Sequence, residues 1–241
     1  MNKKALQKYS RRWHRRFGAV IGIQFLLWTL GGTYFSWFHI DNVRGQYETK
    51  QATVQPELAT FDQLIAIQSL LPGVALPAIK EIRVTRWMNK PVVLFIENGD
   101  NMEMFDGLSG EKLSPITRQQ AIEVARNDFA PEAAITRVTL VTEKGGEYKG
   151  PTPAYRIEFD NLKSTHLYVH ANSGKISARR NTIWRGFDFL WMLHIVDFQQ
   201  REDFNNWLLR ILSVLGLITI GSGYLLWAVT TPLLRKGKSA V

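Results

Sequence analysis

The sequence predicts an α+β membrane protein, with two transmembrane helices flanking a tandem pair of units, each a helix packed on a small antiparallel sheet. Three observations lead there. Phe17–Phe38 and Ile211–Leu234 are uncharged stretches of 22 and 24 residues. The charge is segregated along the chain. The middle contains an internal repeat.

Residues 1–16 hold seven Lys/Arg and no acid, residues 235–241 hold three more, and all 21 acids lie between Asp41 and Asp203. With Arg210 counted among the basic ends, the middle carries 19 basic residues against 21 acidic ones. The net charge of +9 therefore belongs to two tails, a topology signal rather than a nucleic-acid surface. The chain has no cysteine. This excludes disulfides, thiol nucleophiles and Cys-ligated zinc or iron–sulfur clusters.

The basic segment 1–16 opens the chain, and residues 17–38 form the first expected span. At ~1.5 Å per residue each apolar stretch can cross roughly 30 Å of hydrocarbon. Gln24, Thr29, Thr33, Ser213 and Thr219 are polar but not ionised. Trp13, Trp37, Trp207 and Trp227 crowd the ends, where interfacial rings belong. The first stretch is too long for a signal-peptide core, and "GTYFSWFHID" lacks small residues for cleavage, so it reads as a retained anchor. Basic residues outside both spans place both termini in the cytoplasm and the intervening chain on the other side. Gly18 and Gly22, with Gly31–Gly32 and with Gly216, Gly221 and Gly223, are expected helix-packing positions.

"TFDQLIAIQSLLPGVALPAIKEIRVTR", from Thr60, aligns with "ITRQQAIEVARNDFAPEAAITRVTLVT", from Ile116, at a shift of 56. After an eight-residue insertion, "KGGEYKGP", "VLFIENGDNMEMFDGLSGEKL" aligns with "YRIEFDNLKSTHLYVHANSGKI" at a shift of 64. Each copy (41–115 and 116–180) reads as a helix followed by three strands and a Ser-Gly turn. "EIRVTR" and "RVTLVT" alternate as half-buried strands do. In the second helix Ala121, Ile122, Ala125 and Phe129 share one face. Residues 183–199 then carry Trp184, Phe187, Trp191, His194 and Phe198 at helical spacing, a stripe suited to an interfacial amphipathic helix. The second span (207–234) and the basic tail (235–241) complete the order.

"ITRQQAIEVA … VTLVT … YRIEF … HLYVHANSGKI" resembles a PepSY domain, and "WHRRFGAVIGIQFLLWTLGG" with "LWMLHIVDF … LLRILSVLGLITIGSGYLLW" resembles the membrane parts of PepSY-associated transmembrane proteins. The resemblance covers about residues 10 to 230. It implies a bacterial inner membrane protein with extracytoplasmic PepSY units. Larger members include ferric-siderophore reductases that carry haem between helix histidines, so the resemblance also implies haem b ligation by His14, His39 and His194.

The residues leave this open. Histidine commonly ligates haem iron, but it also makes ordinary interfacial hydrogen bonds. On an ideal helix His39 falls about 20° from His14 around the axis, on a broad face with Gly18, Phe25, Trp28, Gly32 and Ser36, yet about 37 Å away along it. His39 and His194 share one membrane face and can in principle share one haem, whereas His14 needs a partner from another chain. Asp197 is expected to orient the His194 ring. His166 and His170 share one face of a strand and read as sheet packing.

No H-E-x-x-H, G-x-S-x-G or G-x-x-x-x-G-K motif is present; the enzymatic role that the resemblance implies is ferric or siderophore reductase-type electron transfer. Two functions stand. One is an extracytoplasmic binding or accessory module in iron or siderophore uptake, contacting a protein, peptide or siderophore. The other is a haem-bearing electron-transfer component, working as a homo-oligomer or with a membrane partner.

Overall fold

In the computed structural model, residues 3–50, 79–97 and 101–231 are described. The expected first-repeat helix beginning at Thr60 and the tail 235–241 lie outside the described residues. The chain divides into two compact units, residues 1–39 with 186–241, and residues 40–185.

In the second of these, α2 (Ile40–Val43) leads to a sheet of β1 (Ile79–Trp87), β2 (Lys90–Glu97) and β3 (Met102–Asp106). Helix α3 (Arg118–Asp128) precedes a second sheet of β4 (Ala134–Val141), β5 (Ala154–Asp160), β6 (His166–His170) and β7 (Ile176–Arg180). Both sheets are antiparallel meanders in chain order.

The repeat is visible in the register. The irregularity between Ile79 and Glu81 of β1 recurs between Ile135 and Arg137 of β4, at the same shift of 56. The counterpart of β7 is a single bridge, Phe105 to Lys112. Gly110 and Gly174 both have positive φ, 74° and 64°, and their N–H groups donate to Asp106 O and His170 O. Thr117 caps α3 in a capping box with Gln120, satisfying donors that a helix start otherwise leaves orphaned.

Val92, Leu94 and Met104 from one sheet, and Ile157, Phe159, Leu167 and Val169 from the other, share one core with Ala121, Ala125 and Phe129. Ile122 is only partly buried, and Val124 packs against that core beside it. Trp87 joins the two repeats by donating its indole N–H to Gly174 O at 3.0 Å. A Cβ on Gly174 would come within 2.2 Å of Trp87 Nε1.

In the other unit, α1 (Lys3–Trp37) packs antiparallel on α5 (Trp207–Thr230). Both are long and apolar enough to cross a membrane. Ile21 is fully buried, and Gly216 and Thr219 are buried on the facing side. A Cβ at Gly216 would lie 3.2 Å from Phe25, and one at Gly223 3.1 Å from His14. Gly18, Gly22, Gly32 and Gly221, expected as packing positions, have open space for at least 4 Å around the point where a Cβ would stand. The close approach is made by two glycines of α5, because bulky residues of α1 fill the seam.

Helix α4 (Thr182–Ile195) ends four residues before the expected boundary at 199. Its part from Gly186 onward lies along α1. Gln24 Nε2 donates to Leu193 O at 3.0 Å, Trp28 Nε1 to His194 O at 2.8 Å, and the Phe35 and Phe187 rings sit 4.6 Å apart. The apolar stripe of α4 is thus spent partly on α1.

Gly174→Ala is expected to destabilise residues 40–185, since an L-residue in the left-handed region costs about 1–2 kcal/mol and its methyl group meets the Trp87 indole. Thermal unfolding followed by near-UV circular dichroism checks this; an unchanged midpoint contradicts it.

Candidate functional site

The boundary histidines occupy three different settings. His14 sits in the seam of α1 and α5. Its Nδ1 lies 2.9 Å from Ser222 Oγ and 3.2 Å from Thr219 O. Ser222 Oγ donates its own proton to Thr219 O at 2.8 Å. Both neighbours are therefore left as acceptors, which calls for an N–H at Nδ1; in the neutral tautomer that meets this, Nε2 carries the lone pair. A histidine that ligates a metal is usually held in this way, by an N–H to a carbonyl on its other nitrogen.

His194, near the end of α4, is walled by aromatic rings. Trp191 lies nearly parallel to it, 4° between planes and 6.0 Å between centroids. Trp28 and Phe35 of α1 flank it at 6.0 and 6.1 Å. Its Nδ1 is buried with no hydrogen-bond partner, beside Gly31, whose absent Cβ would stand 3.9 Å away. Leaving such a group unsatisfied costs about 1–3 kcal/mol.

Asp197 does not orient that ring. Its carboxylate accepts the backbone N–H groups of Gln199, Gln200, Glu202 and Asp203 at 3.0–3.2 Å. Those hydrogen bonds hold its pKa down to about 2. The turn after α4 needs an acceptor for its donors, and the nearest carboxylate supplies it.

His39 follows α1, which ends at Trp37, and it is exposed. The helical-face argument that set it on the same side of α1 as His14 fails because the helix stops short of it. His14 and the His194 neighbour Gly31 are about 25 Å apart along α1. His14 and His194 therefore do not form one site. Among the described residues no group of three or more His, Asp or Glu side chains is arranged to hold a metal ion.

A fourth polar centre was missed in the sequence. Glu147, in the insertion loop, accepts hydrogen bonds from Tyr168 Oη and Arg185 Nε, each at 2.8 Å, and from His166 Nδ1. Arg180 Nε donates to Glu147 O at 2.7 Å. Next to it, Tyr148 stacks on Tyr168 at 4.3 Å, with 6° between planes. The loop is thereby clamped onto the sheet face opposite the main core. His170 occupies the turn position that Asp106 holds in the first repeat, with Nδ1 2.9 Å from Ser173 Oγ. The insertion itself was legible in the repeat alignment, but Glu147 had no local signature.

The family model for the PepSY-associated TM region matches residues 1–229. The chain belongs to that family. No curated protein and no solved structure matches it. As a PepSY-associated membrane protein, it places α1 and α5 in contact with a lipid bilayer, and the α+β repeats form its other unit.

In this PepSY-associated protein burial raises the Glu147 pKa, but hydrogen bonds from His166, Arg185 and Tyr168 outweigh it and bring it to about 2. A depressed folded-state pKa contributes stability that is present above the unfolded value of 4.5 and is lost as pH falls toward 2. Glu147→Gln is expected to lower the melting midpoint at neutral pH, with the gap from the parent narrowing across that window. A gap that stays constant on acidification, read by circular dichroism melts, contradicts the assignment.

Proposed function

We propose that this PepSY-associated protein is an accessory binding module of the bacterial inner membrane serving iron or siderophore uptake. In this reading both termini are cytoplasmic, and residues 40–185 face the extracytoplasmic side and contact a protein, peptide or siderophore. The observation that carries it is the core shared by both repeats, which makes residues 40–185 a self-contained body. The basic residues outside the two spans support the orientation. A segment of residues 41–205 is expected to fold alone and retain the partner in pull-downs. Loss of all binding once the spans are removed argues against the proposal.

A second reading is favoured by the His14 and His194 geometry. His14 offers Nε2 with its other nitrogen already anchored, and His194 offers a buried Nδ1 that lacks a partner. Both are ring nitrogens of the type that ligates haem iron, with His39 as the third, exposed candidate. Haem b would supply one-electron transfer of the ferric-siderophore reductase type. The protein residues would hold the imidazoles in place and wall off water with Trp28, Phe35 and Trp191. A dimer or a membrane partner would supply the second ligand for His14. Protein purified from cells with ample haem is expected to show a Soret band that weakens in His14→Ala and His194→Ala. Absence of the band removes this reading and leaves the binding module standing.

A further inference from the structure

If each apolar stretch crossed the bilayer from end to end, the two would lie level, and they do not. His14, among the arginines, packs on Gly223, the midpoint of the second stretch. One turn earlier, Ser10 Oγ donates to Ser222 O at 3.4 Å. The arginine-bearing turns of α1 therefore run beside apolar residues of α5 up to Trp227. At the opposite end, Asn206, the cap of α5, donates to Ile195 O at 2.9 Å. The adjoining carbonyls of Leu193 and His194 accept from Gln24 and Trp28. Helix α5 thus begins near the level of Trp28, and Thr29–Trp37 of α1 extends past it.

A hydrocarbon layer of roughly 30 Å spans about 20 residues of helix. Placed over Phe17–Phe38, it would submerge the turn after α4, where Gln199, Gln200, Glu202 and Asp203 are exposed. Carboxylates at that depth are costly. Placed over Trp207–Trp227, it leaves that turn in water. It also sets exposed aromatics at both interfaces: Trp207 on one side, Tyr224 and Trp227 on the other. The residues of α1 then left outside, "TLGGTYFSW", expose Thr29, Gly32, Thr33 and Ser36 together with Leu30 and Trp37. The charges brought to the bilayer edges are Arg11, Arg12, Arg15 and Arg16 on one side and Arg210 on the other, all exposed. Their long side chains can reach outward to headgroups from a buried stem.

The geometry points to a bilayer displaced toward the N-terminal end of α1. Hydrocarbon covers α1 only as far as Trp28, Thr29–Trp37 stands in water beside α4, and the four arginines bind the phosphates of lipid headgroups. Charge complementarity commits the partner: a guanidinium pairs with phosphate through two parallel N–H donors.

The absence of cysteine permits a direct test on the full chain in nanodiscs of phosphatidylcholine and phosphatidylglycerol, where both faces meet water. Single variants Thr33→Cys and Ser36→Cys are expected to react with a charged maleimide at rates near that of Gln199→Cys, with Ile23→Cys at least about tenfold slower, as a position in hydrocarbon should be. Protection of both Thr33→Cys and Ser36→Cys to the level of Ile23→Cys overturns the displaced bilayer. Native mass spectrometry reads the second half. Arg12→Gln/Arg15→Gln is expected to retain less phosphatidylglycerol than the parent, and equal retention overturns the headgroup contact.

Discussion

Close backbone approach at Gly216 and Gly223 sets the register of the membrane unit, and its other features follow from that register. Lipid tails are as apolar as the helix surfaces, so association in a bilayer relies on packing at short range. With no Cβ at these two positions, Phe25 and the His14 ring can sit against the α5 backbone. The same approach brings the Nδ1 of His14 within reach of Thr219 O and Ser222 Oγ. It also fixes where α5 starts relative to α1, and hence which part of α1 has α5 beside it. Farther along, α1 has α4 as its neighbour, with two side-chain donors, Gln24 and Trp28, pinned to the α4 carbonyls.

Residues 40–185 obey a different constraint. A sheet of three or four short strands has little apolar area to bury by itself, and small cores are marginal. Two copies solve this by facing one another across a common core, in which Trp87 from the first repeat caps the Ser-Gly turn of the second. The eight-residue insertion then gives the second sheet a cover on its far face. Tyr148 supplies the apolar area, and Glu147 satisfies the polar groups beside it. A half-buried carboxylate is tolerated there because it collects donors from a tyrosine, a histidine and an arginine.

Much of this was legible in the chain. The two spans, the repeat and its insertion all rest on periodicity and on aligned residues, which are local properties. The recurrence of the β1 irregularity in β4, and of positive φ at Gly110 and Gly174, shows that the alignment tracked real backbone equivalence. The site was less legible. The expected role of Asp197 failed because the residue serves its own turn, and the face assigned to His39 failed because the helix ends at Trp37. Gly18 and Gly22 looked like a packing motif, yet no neighbour comes within 4 Å of where a Cβ would stand at either one.

By itself the sequence determined which segments are apolar, where the charges lie and how often the soluble motif occurs, because each depends on residue order alone. The tertiary structure decided how the two apolar helices are staggered, which nitrogen of His14 is engaged and what fills the space around His194. It also brought Glu147 to His166, Tyr168 and Arg185. These are meetings of residues far apart in the chain. No local period encodes the distance between two helices or the orientation of a ring between them.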